Sequence, residues 1–247
     1  MSVTKGVLLA AGRGTRLGAI TANYPKPLLT VGGRPIIVHI LDGLADAGIE
    51  DVMVVTGHFA SLVESELGNG EQSGLRLRYA RQERLEGTAR ALLLGRDFCG
   101  DEQFFFGWGD ILVRRENYRA VLRAARFADN VLAVNEVNDP ASGAAVYVDD
   151  PSKLEAGEPA RIVRIVEKPA AGTSTTRWNN AGFGVLGPAI WASIECLEPS
   201  ARGEYELPQA IAALIESGAE VRAVPVRGPW FDVGTPDDLE AARAAFG

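Results

Sequence analysis

Five charged residues are spread along this chain in positions where they could act together on a polyanion: Arg16 and Lys26 near the start, Asp110 mid-chain, Lys168 beyond it, and Asp232 near the end. Arg16 closes the run Ala10-Ala11-Gly12-Arg13-Gly14-Thr15-Arg16, in which small residues let the backbone approach a ligand with its amides pointing outward. Those amides, two arginines and the nearby Lys26 are what a polyphosphate requires. A plain glycine-rich turn would carry the same local sequence. A dinucleotide fingerprint is excluded, because Leu17 stands where the third glycine of G-x-G-x-x-G belongs and no acid follows Val52–Val55. A Walker loop is excluded too, since no lysine directly follows these glycines. Asp110 and Asp232 alone would each read as a turn residue or helix cap. Brought together from separate strands, with substrate phosphates completing the shell, they suit a magnesium ion.

The elements that must position these groups are legible from periodicity. Val7–Ala11 is a short apolar run suited to a fully buried parallel strand, ending where the glycine loop begins. Pro35–Ala47 has helical apolar spacing and a stop at Gly48. Val52–Val55 predicts a buried strand, Ala60–Leu67 a helix, Leu75–Tyr79 a strand exposed on one face, Thr88–Phe98 a helix and Phe104–Phe106 a central strand. The second half predicts shorter strands near Val131–Val134, Ala144–Val148, Ile162–Val166 and Phe183–Leu186. Asp149–Pro159 reads as an exposed hairpin tip. Thr235 as cap, Pro236 at the first helical position and Asp238 three residues on mark a last helix, after which Gly247 ends the chain. The expected fold is α/β: a Rossmann-like, mixed but mostly parallel sheet flanked by helices, with ligands at the carboxyl ends of its strands.

Composition narrows the function. Of 247 residues 47% are hydrophobic and 23% charged, ordinary for a globular protein. A formal net charge of −7 argues against nucleic acid as partner while allowing a local basic pocket. The absence of a long apolar run or a leader-like N-terminus predicts a cytoplasmic protein with no membrane partner. Cys99 and Cys196 lack metal-ligand spacing and read as buried small hydrophobes. With only His39 and His58 in the chain, no Ser-His-Asp triad is evident.

From Val7 to Leu28 the sequence resembles the sugar-1-phosphate nucleotidylyltransferases: an apolar strand, A-G-x-G-T-R-L, then Lys26-Pro27-Leu28. The resemblance continues at Gln82, Gly87-Thr88-Ala89, Gly109-Asp110, Glu167-Lys168-Pro169, Asn180-Ala181-Gly182, Glu204-Tyr205-Glu206-Leu207 and Trp230–Pro236. It implies a GT-A-like nucleotidyltransferase fold with a small sugar-binding β insertion. The expected layout is one domain over 1–247: a nucleotide part to about 130, a sugar part over about 131–230 and a helix over about 235–246. No β-helix domain of the kind many relatives carry is expected. The implied reaction is attack of a sugar-1-phosphate on the α-phosphorus of a nucleoside triphosphate, with Mg²⁺ as cofactor. Arg16 and Lys26 would grip the triphosphate, Ala10–Thr15 and Gly109 would line its site, and Asp110 and Asp232 would hold the metal. Lys168 would contact the sugar phosphate and Glu167 the sugar hydroxyls, with Asn180 and the Gly143 backbone adding contacts. Proline after Lys168 predicts an extended segment there. Trp108 departs from the small or polar residue common in relatives.

Gln82, Gly87 and Thr88 sit on the loop expected to face the base. The Gln82 amide can accept from the N3–H of uracil or thymine while donating to a neighbouring carbonyl, so UTP or dTTP is the expected triphosphate. Two other readings compete. A cytidylyltransferase acting on phosphocholine or a phosphonate would be expected to change Glu167, Lys168 and Asn180. A catalytically silent regulatory paralogue would be expected to lose Arg16, Lys26, Asp110, Lys168 or Asp232, and all are present. The sequence leaves assembly into a homo-oligomer open.

Overall fold

A computed structural model describes residues 2–246. Strand β1 (Lys5–Ala10) leads into 3₁₀ turns over Thr15–Ile20 and Lys26–Leu28, then the small hairpin β2 (Thr30–Val31) and β3 (Arg34–Pro35). There follow α1 (Ile36–Ala47), β4 (Asp51–Thr56), α2 (Ala60–Leu67), β5 (Arg76–Arg81), α3 (Thr88–Leu93), α4 (Arg96–Cys99) and β6 (Phe104–Trp108). The middle of the chain gives β7 (Ile111–Val113), α5 (Glu116–Ala124), β8 (Asn130–Glu136), β9 (Ala144–Val148), α6 (Pro151–Glu155), β10 (Ala160–Glu167) and β11 (Trp178–Leu186). The last part holds α7 (Ile190–Glu195), α8 (Leu207–Glu216), β12 (Val221–Pro225), β13 (Trp230–Asp232) and α9 (Pro236–Phe246).

One nine-stranded sheet organises the molecule, in the order β5-β4-β1-β6-β11-β8-β12-β10-β9. It is mixed as expected, but the parallel character is confined to β5-β4-β1-β6 and the β8-β12 pair, and the other junctions are antiparallel. The strands of the second half are therefore not a small sheet set beside the first. They extend it, and β11 is nine residues long. Both faces are covered, which explains the unbroken apolar runs. Leu8, Val52, Val54, Phe105, Phe183 and Val185 face α1, α5 and α9, whereas Val7, Leu9, Phe104, Phe106, Leu132 and Val134 face α3, α7 and α8. Phe104, Phe105 and Phe106 are all fully buried, so β6 is the central strand that the sequence predicts.

Several local expectations hold. Helix α1 ends at Gly48 in the left-handed conformation, φ 98°. The last helix is capped reciprocally: Asp238 N donates to Thr235 Oγ1 at 3.2 Å, and Thr235 N donates to Asp238 Oδ2 at 2.8 Å. Gly247 lies outside the described residues.

Others are corrected. The helix predicted over Thr88–Phe98 is two pieces, α3 and α4, broken at Leu94-Gly95. The chain there is pressed against β1, so close that a Cβ on Gly95 would lie 2.8 Å from Val7 Cγ2. Asp149–Pro159 is not a bare hairpin tip but contains α6, capped by Asp150, whose side chain accepts from Ser152 N, and anchored by buried Leu154. Cys99 is buried, and burial pushes its thiol up to about 12, but Cys196 is exposed. No helix among the described residues is long and apolar enough to cross a membrane.

Candidate functional site

The glycine loop leaves β1 at Ala10 and turns at Gly14, whose φ of 66° puts it in the left-handed region. Leu17 N donates to the Gly14 carbonyl at 2.9 Å and buried Thr21 donates to the same carbonyl through its hydroxyl at 2.8 Å. A side chain at Gly14 would meet Lys26 Cβ at 3.2 Å. The lysine stem thus lies directly against the turn. Gly109 joins them, its N–H donating to the Leu9 carbonyl at 2.8 Å. Ala11 accepts from His58 N at 3.3 Å, which ties the loop to the end of β4.

Asp110 and Asp232 meet where β7 pairs with β13. Asp232 lies opposite Ile111, and Val233 N donates to the Asp110 carbonyl at 3.1 Å. Lys26, only 7% exposed, bridges them: its Nζ hydrogen-bonds Asp110 Oδ2 and stands 3.6 Å from Asp232 Oδ1. Arg16 reaches Asp232 from the solvent side, Nη2 to Oδ2 3.8 Å. Burial and the Asp110 charge raise the Asp232 pKa from its usual carboxylate value, against the opposing pull of Lys26 and Arg16. Because both carboxylates turn toward one ammonium, they can face one cation. Two hard oxygen donors on paired strands fit magnesium, which takes one or two carboxylates and completes its shell with phosphates and water.

A second charged cluster forms on the far half of the sheet. Glu167 ends β10, and Lys168 follows it with its N–H donating to the Gly143 carbonyl at 2.7 Å. Lys168 is not extended, as its following proline suggests, but left-handed at φ 42°. Held there by the Gly143 bond, it carries backbone strain of the kind found at ligand sites. Gly143, Glu167 and Lys168 come together with Asn179, whose Oδ1 accepts from Ala144 N at 3.0 Å, whereas Asn180, expected here from the sequence, spends its Oδ1 on Gly182 N at 3.0 Å within β11. Trp230 Nε1 donates to the Ala181 carbonyl at 2.9 Å, joining β11 to the strand that bears Asp232.

Sequence reasoning gave no role to Arg202 or Glu206, and both belong here. Arg202 hydrogen-bonds buried Glu206 and lies 3.6 Å from Glu167 Oε1, while Lys168 Nζ lies 3.8 Å from the same oxygen. The signal available was the i,i+4 Arg–Glu pair inside Arg202-Gly203-Glu204-Tyr205-Glu206. Burial first, and the Glu206 charge second, push Glu167 up to about 7, against Lys168 and Arg202.

That shift has a consequence for stability. A carboxyl whose folded pKa lies above its ordinary 4.5 costs stability increasingly as pH rises from about 4.5 through about 7. We expect Glu167→Gln to stabilise the fold at pH 8 by on the order of 2 kcal/mol while weakening sugar-phosphate use, and to change stability little near pH 4.5. Urea unfolding at both pH values checks this; equal effects at the two would refute it.

Gln82, Gly87 and Thr88 lie on the connection from β5 to α3. Gln82 Nε2 donates to the Gly87 carbonyl at 3.1 Å, which leaves its oxygen free to accept. Gly87 has φ 108°, and a Cβ there would lie 2.5 Å from the Tyr205 carbonyl oxygen, so its glycine serves a close approach of protein backbone. Thr88 accepts from Leu207 N at 2.9 Å, Tyr205 N donates to the Glu86 carbonyl, and Ala89 N to the Tyr205 carbonyl. Trp108, half-buried, packs edge-on to Phe106 and against the backbone of Gly182. A polar cavity of about 630 Å³ opens beside Gln82 and Arg13.

Comparison with known proteins identifies the family. Residues 5–246 match the family model described as nucleotidyl transferase. The UTP–glucose-1-phosphate uridylyltransferase AglF of Haloferax volcanii is 34% identical over 248 residues, covering 97% of this chain and 95% of that protein. The low-salt glycan biosynthesis nucleotidyltransferase Agl11 of the same organism is 33% identical over 97% of this chain, and a glucose-1-phosphate thymidylyltransferase of Streptomyces antibioticus 32% over 95%. The chain spans 65% and 64% of the lengths of those two relatives. Among solved structures, a putative glucose-1-phosphate thymidylyltransferase from Bacillus anthracis superposes with a TM-score of 0.85 at 29% identity, covering 98% of this chain and 94% of that one. A UDP-glucose pyrophosphorylase in complex with UDP-glucose, at 22% identity, shares the fold with a TM-score of 0.88 over 99% and 98% of the two chains. With the family model matched over residues 5–246 and AglF 34% identical over nearly its whole length, the chain belongs to the nucleotidyl transferase family, among the sugar-1-phosphate nucleotidyltransferases.

Proposed function

We propose that the protein transfers a nucleoside monophosphate from a nucleoside triphosphate to a sugar-1-phosphate, releasing pyrophosphate and forming an NDP-sugar. The observation that carries this reading is the presence of two cationic centres, Lys26 with Asp110 and Asp232, and Lys168 with Arg202 and Glu167, each set against carboxylates. A two-polyanion reaction needs that arrangement. In the reaction a phosphate oxygen of the sugar-1-phosphate forms a bond to the α-phosphorus while the bond from that phosphorus to the bridging oxygen breaks. The nucleophile is already an anion, so no general base is required; alignment and charge neutralisation are. The amides of Ala10–Thr15 cradle the triphosphate, with Arg16 and Lys26 neutralising it. Lys168 and Arg202 hold the sugar phosphate, and Glu167 and Asn180 orient the sugar. Asp110 and Asp232 would hold Mg²⁺, which supplies further neutralisation of the phosphates when bound.

On this reading residues to about 130 handle the nucleotide and about 131–230 the sugar phosphate, and the triphosphate substrate places the protein in the cytoplasm. Pyrophosphate release over a matrix of nucleoside triphosphates and sugar-1-phosphates tests the assignment, and no release with any pair would defeat it. The free Gln82 oxygen supports a base with an N3–H. UTP or dTTP should therefore exceed CTP and ATP in kcat/KM by about tenfold or more, because cytosine and adenine present a ring acceptor in place of that donor and leave the amide oxygen unpaired. Direct competition of the triphosphates at equal concentration checks it; a preference for GTP or ATP would overturn the base assignment alone.

A further inference from the structure

We infer that Lys26 and the metal compete for one position, so that Lys26 suppresses metal binding until a triphosphate draws its ammonium away. The inference rests on the reading of Asp110 and Asp232 as metal ligands. Lys26 Nζ occupies the gap between the two carboxylates, in contact with Asp110 Oδ2 and 3.6 Å from Asp232 Oδ1. A magnesium ion needs its oxygens at about 2.0–2.1 Å, so an ion held by Asp110 Oδ2 and Asp232 Oδ1 would claim the two oxygens that the ammonium already faces. Two cations cannot share that gap. Arg16 does not take part in the same way, since it touches only Asp232 Oδ2, at 3.8 Å, and its side chain is 67% exposed.

The lysine stem gives the ammonium somewhere to go. Its Cβ and Cδ lie 3.2 Å and 3.6 Å from where a Cβ of Gly14 would stand, directly against the turn whose amides are placed to receive phosphate. A triphosphate on that turn presents oxygens along the same stem, and Nζ can swing from carboxylate to phosphate about side-chain bonds alone. The backbone need not follow, because Lys26 stands between Pro25 and Pro27 and opens a 3₁₀ turn that ends at fully buried Leu28. Triphosphate binding then frees the carboxylates. By linkage each ligand tightens the other, and metal and nucleotide arrive as a pair.

Removing the ammonium should therefore tighten metal binding in the absence of nucleotide, although the same change harms the reaction. Mn²⁺, followed by its paramagnetic resonance signal, is the probe. We expect Lys26→Met, which keeps the stem, to bind Mn²⁺ about tenfold more tightly than wild type without nucleotide. We expect Lys26→Met/Asp110→Asn to lose that gain. Lys26→Gln serves as the second variant, and circular dichroism establishes that each is folded. Equal or weaker Mn²⁺ binding by the folded single variants overturns the competition. If wild type binds Mn²⁺ just as tightly and Asp110→Asn abolishes it, the metal site stands and only the competition fails. Mn²⁺ binding that ignores Asp110 in every variant, with or without triphosphate, would defeat the metal reading beneath it.

Discussion

Replacing Asp110 or Asp232 by asparagine is expected to lower turnover by about a thousandfold or more while leaving a folded protein. Each substitution is nearly isosteric and removes one charge from a pair that faces a common cation. Transition-state charge on the phosphates then loses its principal counterion, the kind of loss that costs several kcal/mol of barrier. Folding should survive for reasons visible in the geometry. Asp232 is already held above its ordinary pKa by burial and by Asp110, so its neutral replacement relieves repulsion. Asp110→Asn still leaves Lys26 the Asp232 carboxylate at 3.6 Å. Steady-state rates beside thermal unfolding provide the check. Full turnover by either variant, or by wild type in excess chelator, would sink the assignment.

The second large effect separates the two lysines. Lys26→Ala should raise KM for the triphosphate by about ten- to a hundredfold, and Lys168→Ala should do the same for the sugar phosphate. Lys26 lies against the glycine loop, whereas Lys168 sits beyond β11 with Glu167 and Arg202. Each loss is a charge-assisted contact to one partner only. Measuring KM for both substrates in both variants decides the matter, and identical profiles for the two would refute the split. Lys26→Ala carries a further cost in turnover if its ammonium also follows the triphosphate into the transition state.

Much of what depends on neighbours in sequence was readable in advance. The span of α1 with its Gly48 stop and the Thr235–Asp238 cap are set by contacts within a few residues, and the run Val7–Ala11 was legible from its apolar composition although β1 pairs with the distant β4 and β6. The local Asp150 cap of α6 was missed; most of the rest that was missed depends on contacts made far along the chain. The break at Gly95 exists because Val7 is there, and nothing in the pattern of 88–98 reports that. Lys168 is left-handed because its N–H is taken by Gly143, a bond that overrides the preference set by the following proline. Arg202 and Glu206 acquire meaning only beside Glu167, which precedes them by a whole strand and helix. Composition and alternation could not announce that meeting. Arg16, Lys26, Asp110, Lys168 and Asp232 were visible by type, and the structure gathers them into two clusters, to one of which it adds Arg202.

The seam between Glu86–Ala89 and Tyr205–Leu207 bears on how such a protein can be re-engineered. Tyr205 bonds to Glu86 and Ala89, Thr88 receives Leu207 N, and Gly87 leaves room for the Tyr205 backbone. The loop proposed to read the base and the segment that delivers Arg202 and Glu206 therefore form one joint, cut to a single shape. Recombining halves from two relatives at a point between them would pair mismatched surfaces. A graft meant to alter sugar choice has to bring residues 86–89 along with 202–207, and in doing so it imports part of the donor's nucleotide preference.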